Sequence, residues 1–228
     1  MGKKLKAIKE KLNSEKHYSL IEALQFLSSN KTAKFDETLE AVFNLGVNPV
    51  HSDQVVRGVA LMPNGTGKKI RVAAIVKDEN VQKAKDAGAD LAGSDDLVEE
   101  IKSGKIEFDV CITTPDMMPK ISMVAKILGP KGLMPNPKLG TVAVDFVDAI
   151  KKSKSGQVEF RAEKAGIVHT GIGKLSFTPE KLQENFKSLY DALLKAKPSG
   201  AKGSYIKSVF LSSTMGPSLR LDVSNLSQ

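Results

Sequence analysis

The clearest periodicity lies towards the C-terminus, where Leu182, Phe186, Leu189 and Leu193 recur three and four residues apart. That spacing gathers apolar side chains on one face of an α-helix. Ahead of it, Thr178-Pro179 predicts the start, with threonine as cap and proline at the first helical position. Pro198-Ser199-Gly200 predicts the stop. A second helix is predicted from Ser19, whose hydroxyl can cap it while Glu22 answers three residues on. Leu20, Ala23, Leu24 and Leu27 supply its buried face. Over residues 1–16, lysines alternate with Leu5, Ile8 and Leu12 at helical spacing. This suits a solvated basic helix and equally an arm laid on nucleic-acid phosphates.

Strand patterns come in two textures. Thr38–Leu45 mostly alternates, as a half-exposed strand does. Arg57–Leu61 reads as its antiparallel neighbour, and Asn64-Gly65 as a turn. Ile70–Val76 and Val110–Thr113 are continuously apolar, the texture of strands covered on both faces. Helix patterns at Asn80–Ala87, Asp96–Ser103, Lys120–Ile127 and Asp145–Lys154 fall between and after them. Strands alternating with helices imply a parallel, helix-covered sheet. From Gln157 the first texture returns, with strands at Val158–Arg161, Tyr205–Leu211 and Leu219–Val223. The last splits into inward Leu219, Leu221 and Val223 and outward Arg220 and Asp222.

One arrangement accounts for this order. A discontinuous α+β domain, residues 1–67 and 159–228, has an antiparallel sheet with helices. It carries an inserted α/β domain, residues 68–158, expected to be a three-layer, Rossmann-like parallel-sheet unit. The crossings near Gly65–Lys68 and Ser153–Gln157 are expected to act as a hinge.

Length and composition sharpen this picture. A chain of 228 residues suits one large or two modest domains, and 41% hydrophobic residues suffice for a packed core. With no tryptophan and 5% aromatics, that core is built mainly from aliphatics. No apolar run approaches the ~20 residues of a membrane span. The opening Met-Gly-Lys-Lys-Leu-Lys lacks the apolar stretch of a secretory signal. Lone Cys111 excludes an internal disulfide and suits a reducing cytosol. A net charge of +8 and a pI near 9.4 favour a polyanionic partner, nucleic acid or an anionic membrane surface. A membrane role needs a sustained basic amphipathic helix, which only residues 1–16 approach. The charge is also uneven. Residues 68–158 hold 15 basic and 13 acidic side chains, leaving 19 and 13 elsewhere, a balance of +6 for the discontinuous domain.

Catalytic chemistry finds little support. Gly65-Thr66-Gly67-Lys68 resembles the end of a phosphate loop, but Met62 occupies the required first glycine position and Lys69 replaces serine or threonine. Gly171-Ile172-Gly173-Lys174 fails in the same way, with Val168 and Leu175. Turns are the simpler account of both, and of the Gly/Pro run at 128–142. Cys111 sits in an apolar strand pattern, which suits an inert buried thiol. His17, His51 and His169 are not placed to serve it as a base. Asp95-Asp96 reads as a helix start. No active site, metal site or cofactor is expected. The alternative is a nucleotide-binding enzyme with its site in the inserted parallel-sheet domain, for which nucleotide would thermally stabilise residues 68–158.

The Gly/Pro run itself, Leu-Gly-Pro-Lys-Gly-Leu-Met-Pro-Asn-Pro-Lys-Leu-Gly-Thr-Val from Leu128 to Val142, resembles the hallmark loop of the family of large-subunit ribosomal protein one. The same family is echoed by Lys34-Phe35-Asp36-Glu37-Thr38, by Gly171-Ile172-Gly173-Lys174 before Ser176-Phe177, and by Thr214-Met215-Gly216-Pro217. The resemblance covers nearly the whole chain and implies the same two-domain division. It implies a non-enzymatic cytoplasmic protein, monomeric when free and otherwise part of the large ribosomal subunit. Its implied partners are large-subunit rRNA, exit-site tRNA and its own operon mRNA, with no membrane. Such a protein binds the mobile rRNA stalk, assists release of deacylated tRNA and represses translation of its own message. Carried over by position, the RNA-binding residues are Lys34, Phe35, Thr38 and Glu40, then His169, Lys174 and Ser176, then Ser208 with Thr214, Met215 and Gly216.

Residue chemistry weighs on these assignments. Lys34-Phe35 sets a cation beside an aromatic ring, although core packing is the commoner fate of phenylalanine. Thr214–Pro217 is by itself a turn, yet Gly216 lets a backbone come close to a ribose or phosphate. Glu40 suits RNA only if it accepts from a 2′-hydroxyl or base donor. Gly171 stands where relatives are expected to carry alanine or valine, which bears on local stiffness. If the triplet lies on RNA, Thr214→Ala is expected to cost about 1–3 kcal/mol of binding. The melting temperature should then stay near that of the parent. Unchanged affinity would reduce the triplet to a turn.

Overall fold

The computed structural model describes residues 16–31, 33–201 and 203–225, with Ile8 and Leu12 ahead of them. The remainder of the basic segment 1–16 lies outside the described residues. Ile8 is buried, and Leu12 packs against the core of the first unit. In chain order the elements are α1 (Leu20–Ser29), β1 (Thr38–Leu45), β2 (Arg57–Leu61), β3 (Val72–Ile75), α2 (Asp78–Asp86), β4 (Leu91–Gly93), α3 (Asp95–Lys102) and β5 (Val110–Thr113). They continue with α4 (Met118–Ser122), α5 (Ala125–Leu128), α6 (Phe146–Lys154), β6 (Gln157–Arg161), β7 (Ile167–Lys174), α7 (Pro179–Lys195), β8 (Ile206–Ser213) and β9 (Ser218–Leu221). The fold is α+β with antiparallel and parallel sheets. Two compact units emerge, Met1–Gly67 with Val158–Gln228, and Lys68–Gln157.

The first unit is built on a four-stranded sheet in the order β7-β1-β8-β9, with antiparallel pairing throughout. Leu39, Ala41, Phe43 and Leu45 of β1 point into the core, as the alternating pattern predicts. There they join Val168, Ile172, Val209, Leu211, Leu219 and Leu221, with Leu24 and Leu27 of α1 and Leu182, Phe186 and Leu189 of α7. The rings of Phe43 and Phe186 stack with centroids 5.7 Å apart. Helix α1 starts as expected: Ser19 Oγ accepts from Glu22 N (3.3 Å), and Ser19 N donates to Glu22 Oε2 (3.2 Å). Thr178 holds the cap position of α7 ahead of Pro179, but its hydroxyl makes no capping bond. Proline without an N–H and with its φ already set is enough to start that helix.

Two expectations are corrected here. Arg57–Leu61 does not neighbour β1, because β7 and β8 occupy both edges of that strand. Instead β2 pairs with β6 in a separate two-stranded sheet. Gly58 makes the fit possible, since a Cβ there would lie 2.7 Å from Phe160 Cζ. The cluster Gly171-Ile172-Gly173-Lys174 is not a turn but the end of β7, bulged so that Leu39 faces Gly173 and Glu40 faces Gly171. A Cβ at Gly173 would lie 2.8 Å from Leu182 Cδ2, so glycine admits the helix.

The bulge leaves a carbonyl to be satisfied, and a buried side chain does it. Asn185 of α7 is fully buried; its Nδ2 donates to Ile172 O (2.8 Å) and Gly65 O (2.9 Å). Its Oδ1 accepts from Asn64 N (3.1 Å). One amide thus ties the Asn64-Gly65 turn to the bulge, and no polar atom of that side chain is left idle in the core.

The second unit holds a parallel sheet in the order β4-β3-β5. All four residues of central β3 are buried, as its continuous apolar run predicts. Strand β4 escaped the pattern because it has three residues, all half-buried. Helices α2 and α3 begin with Asp78-Glu79 and Asp95-Asp96, whose carboxylates face the positive ends of the helix dipoles. The helix expected over Lys120–Ile127 is broken into α4 and α5. At Met123 and Val124 the bonds tighten to Lys120 O and Ile121 O, three residues back. The Gly/Pro run is ordered. Thr141 Oγ1 accepts from Asn136 N (2.8 Å) and donates to Asn136 O (3.1 Å), while Leu128 and Leu139 are buried. Lys68 Nζ donates to Asp109 (2.7 Å), and with the Arg71 N–H it holds that carboxyl below its usual range.

Cys111 lies in β5 inside the second core, and burial pushes its thiol up to about 12. Thiolate is the reactive form, so the folded protein at pH 8 should resist an aromatic disulfide reagent. One thiol per chain should react after denaturation. Rapid labelling of the native protein would place Cys111 outside the core.

Candidate nucleic-acid interface

Between α1 and β1 the chain reads Lys34-Phe35-Asp36-Glu37-Thr38, and its two consecutive carboxylates are tied to opposite neighbours. Asp36 turns towards the end of β7, where it accepts from Ser176 N (3.2 Å) and Ser176 Oγ (2.7 Å). Glu37 turns inward and is 1% exposed. Its Oε2 accepts from Ser213 Oγ (2.6 Å) and Met215 N (3.1 Å), and its Oε1 from Ala33 N (3.3 Å). Main-chain bonds run the same way, from Leu175 N to Glu37 O (2.9 Å) and from Thr214 N to Thr38 O (3.1 Å). Thr214 Oγ1 accepts from Thr38 N (3.0 Å) and donates to Thr38 O (3.3 Å). Lys174 Nζ donates to Thr38 Oγ1 (2.8 Å).

These bonds draw three segments far apart in sequence together at one end of the four-stranded sheet. Lys34, Phe35, Thr38, Lys174, Ser176, Thr214, Met215 and Gly216 all belong to this end. Phe35 is 52% and Met215 57% exposed, and Lys34 is exposed as well. Exposed apolar side chains on loops held by so many bonds suit stacking and close contact with unpaired bases. Ser176 and Lys174 are partly committed to Asp36 and Thr38, so their polar groups serve the fold first.

The other expected residues lie on the sheet itself. Cross-strand partners point to the same face. One row runs His169, Val42, Phe210, Arg220, and the next runs Gly171, Glu40, Ser212, Ser218. Glu40 and His169 are exposed on this face, which alternates with the buried positions packed against the helices. Ser208 pairs with Asn44 on the same face but is itself buried. A Cβ at Gly171 would lie 3.4 Å from Thr38 Cγ2, an ordinary contact.

Sequence reasoning passed over Asp36, Glu37, Phe210 and Arg220. Little in the local sequence marks the acids, since the serines that donate to them stand 140 and 176 residues away along the chain. For Arg220 the outward position in an alternating strand was a usable signal. Its place beside Phe210 needed the register. Gly216 does not have a positive φ, so its conformation alone does not demand glycine.

The nucleotide-enzyme alternative fares poorly. In open parallel sheets, ligands bind at the carboxyl ends of the strands where the strand order reverses. Here that edge carries Asp78, Asp95 and Asp116. Lys77 and Lys120 there are bound to Asp116 (2.8 Å) and Asp95 (2.6 Å). Acids outnumber lysines among these side chains, which disfavours an anionic ligand there. Among the described residues, no three His, Cys, Asp or Glu side chains are grouped to hold a metal.

The Thr214→Ala expectation now changes. Its hydroxyl closes on the Thr38 main chain, so truncation removes two intramolecular bonds, each worth about 0.5–1.5 kcal/mol. Melting temperature, followed by calorimetry, should fall by about 2–12 °C together with RNA affinity. Reduced affinity at an unchanged melting temperature would restore a direct contact.

Comparison with known proteins shows the family. Residues 27–217 match the family described as Ribosomal protein L1p/L10e family. The chain is 57% identical over 225 residues to the Large ribosomal subunit protein uL1 of Rickettsia canadensis (strain McKiel), spanning 99% of this chain and 94% of that one. It is 58% identical over 225 residues to the protein of that name from Rickettsia typhi (strain ATCC VR-144 / Wilmington), spanning 99% and 95%. The Rickettsia akari (strain Hartford) protein of that name is 57% identical over the same span. With likeness of this degree along nearly its whole length, the chain belongs to the Ribosomal protein L1p/L10e family.

Proposed function

We propose that this chain is a structural, non-enzymatic protein of the large ribosomal subunit, acting in the cytoplasm by binding the mobile stalk of large-subunit rRNA. The observation that carries this reading is the convergence of three tied loops that leave Phe35 and Met215 exposed beside Lys34. The RNA-binding set is Lys34, Phe35, Thr38, Glu40, His169, Lys174, Ser176, Ser208, Thr214, Met215 and Gly216. Family membership supports two further roles, assisting release of deacylated exit-site tRNA and repressing translation from its own operon mRNA. Free of the ribosome, the protein is a monomer.

The division of labour follows the charge. Residues 1–67 with 159–228 form the RNA-binding domain, favoured by its +6 balance. Residues 68–158 form an inserted three-layer α/β domain of Rossmann-like kind that carries none of the RNA-binding set. Crosslinking in cells, followed by sequencing of the recovered RNA, tests the function. A dominant peak in the stalk region of large-subunit rRNA is expected, and scattered mRNA or tRNA without that peak would sink it. A chain joining 1–67 to 159–228 through a short glycine linker is expected to fold and keep most of the affinity for a stalk transcript. Loss of nearly all binding on deleting 68–158 would contradict the domain assignment.

A further inference from the structure

Glu37 is the most deeply buried acid of the candidate interface, and its carboxylate touches no surface an RNA could reach. A carboxylate taken out of water is costly unless donors replace its hydration. Here the donors include Ser213 Oγ, Met215 N and Ala33 N. The first two of these lie in the turn that carries the exposed Met215. The third lies in the loop that carries Lys34 and the exposed Phe35.

Gly216 completes the arrangement. A Cβ built there would run into Ser213 Oγ, the same atom that donates to Glu37. Gly216 N also donates to Ser213 O (3.1 Å). With no positive φ at Gly216, this collision is the local reason for glycine. The serine hydroxyl can reach the carboxylate only while position 216 has no side chain. Glu37, Ser213 and Gly216 are therefore one lock, closed from inside the protein.

We infer that Glu37 is a positioning residue for RNA binding: it acts through Ser213 and the Met215 amide to hold the 33–38 and 213–216 loops in their RNA-ready shape before RNA arrives. This rests on the rRNA-binding reading above. Loops already fixed leave less ordering to be done on binding, so complexes last longer. Glu37→Gln keeps the size of the side chain. It replaces one acceptor oxygen by an NH2 group, which faces at least one of these donors with another donor.

The test uses the full chain and a transcript of the stalk region of large-subunit rRNA. Dissociation rates are measured for Glu37→Gln, Gly216→Ala and the double variant. Amide hydrogen exchange is followed in parallel. Each single change should speed dissociation about ten-fold, and the double should add less than about two-fold more, because both open the same lock. Exchange should rise at residues 33–38 and 213–216 while the interiors of β1 and β8 stay protected. A merely structural acid would loosen those strands as well. Parent-like dissociation of Glu37→Gln, or effects that multiply in the double variant, would overturn the inference. Should Glu37→Gln fail to fold, Ser213→Ala decides: it removes the same bond, and parent-like dissociation again rules the lock out. Failure of the parent protein to bind the transcript would instead count against the function itself.

Discussion

A carboxylate shut away from water dictates what surrounds it. Glu37 can remain at 1% exposure because donors replace its hydration, among them Ser213 Oγ and Met215 N from one loop and Ala33 N from another. Its neighbour Asp36 faces the other way and takes Ser176. The strand-like alternation of side chains at the entrance of β1 thus splits two adjacent charges between two neighbouring segments. Everything at that end of the sheet, including the exposure of Phe35 and Met215, follows from those attachments. Buried ionic groups are costly to break because the abandoned partner stays desolvated.

Asn185 plays the corresponding part on the helical side. The bulge in β7 would leave the Ile172 carbonyl without a ladder partner, and the Asn64-Gly65 turn has its own free groups. One side chain on α7 meets both, so helix, bulge and turn have a single solution. The two devices share a logic. Irregular backbone is placed where a buried polar side chain can complete its hydrogen bonds.

What the sequence made legible was whatever depends on local spacing. The apolar repeat of α7, the Ser19 capping box, the half-exposed alternation of β1 and the covered strand β3 all arise from neighbours within a few residues. What it hid depended on distant partners. Strand β4 is too short to carry a period. Strand β7 looked like a turn, because its two glycines serve a bulge that only pairing with β1 reveals. Arg57–Leu61 was matched to the nearest strand in sequence, while its partner Gln157–Arg161 lies about a hundred residues on. In the candidate site, Lys34, Phe35 and the Thr214–Gly216 triplet were recognisable as motifs. Glu37 was not, since nothing local marks an acid whose hydrogen-bond donors include a serine 176 residues away.

The placement of β1 also sets a timetable. Both of its neighbours, β7 and β8, lie late in the chain, and β8 begins about 160 residues after β1 ends. At a synthesis rate of about 5–20 residues per second, the roughly 120 residues between β1 and β7 leave β1 without a partner for on the order of 6–24 seconds. The unit Lys68–Gln157, contiguous in sequence, is complete before β7 has been made. A nascent chain therefore holds one finished unit while the first strand of the other still waits, its Leu39, Ala41 and Phe43 uncovered. That interval is when this protein is most open to capture by a chaperone.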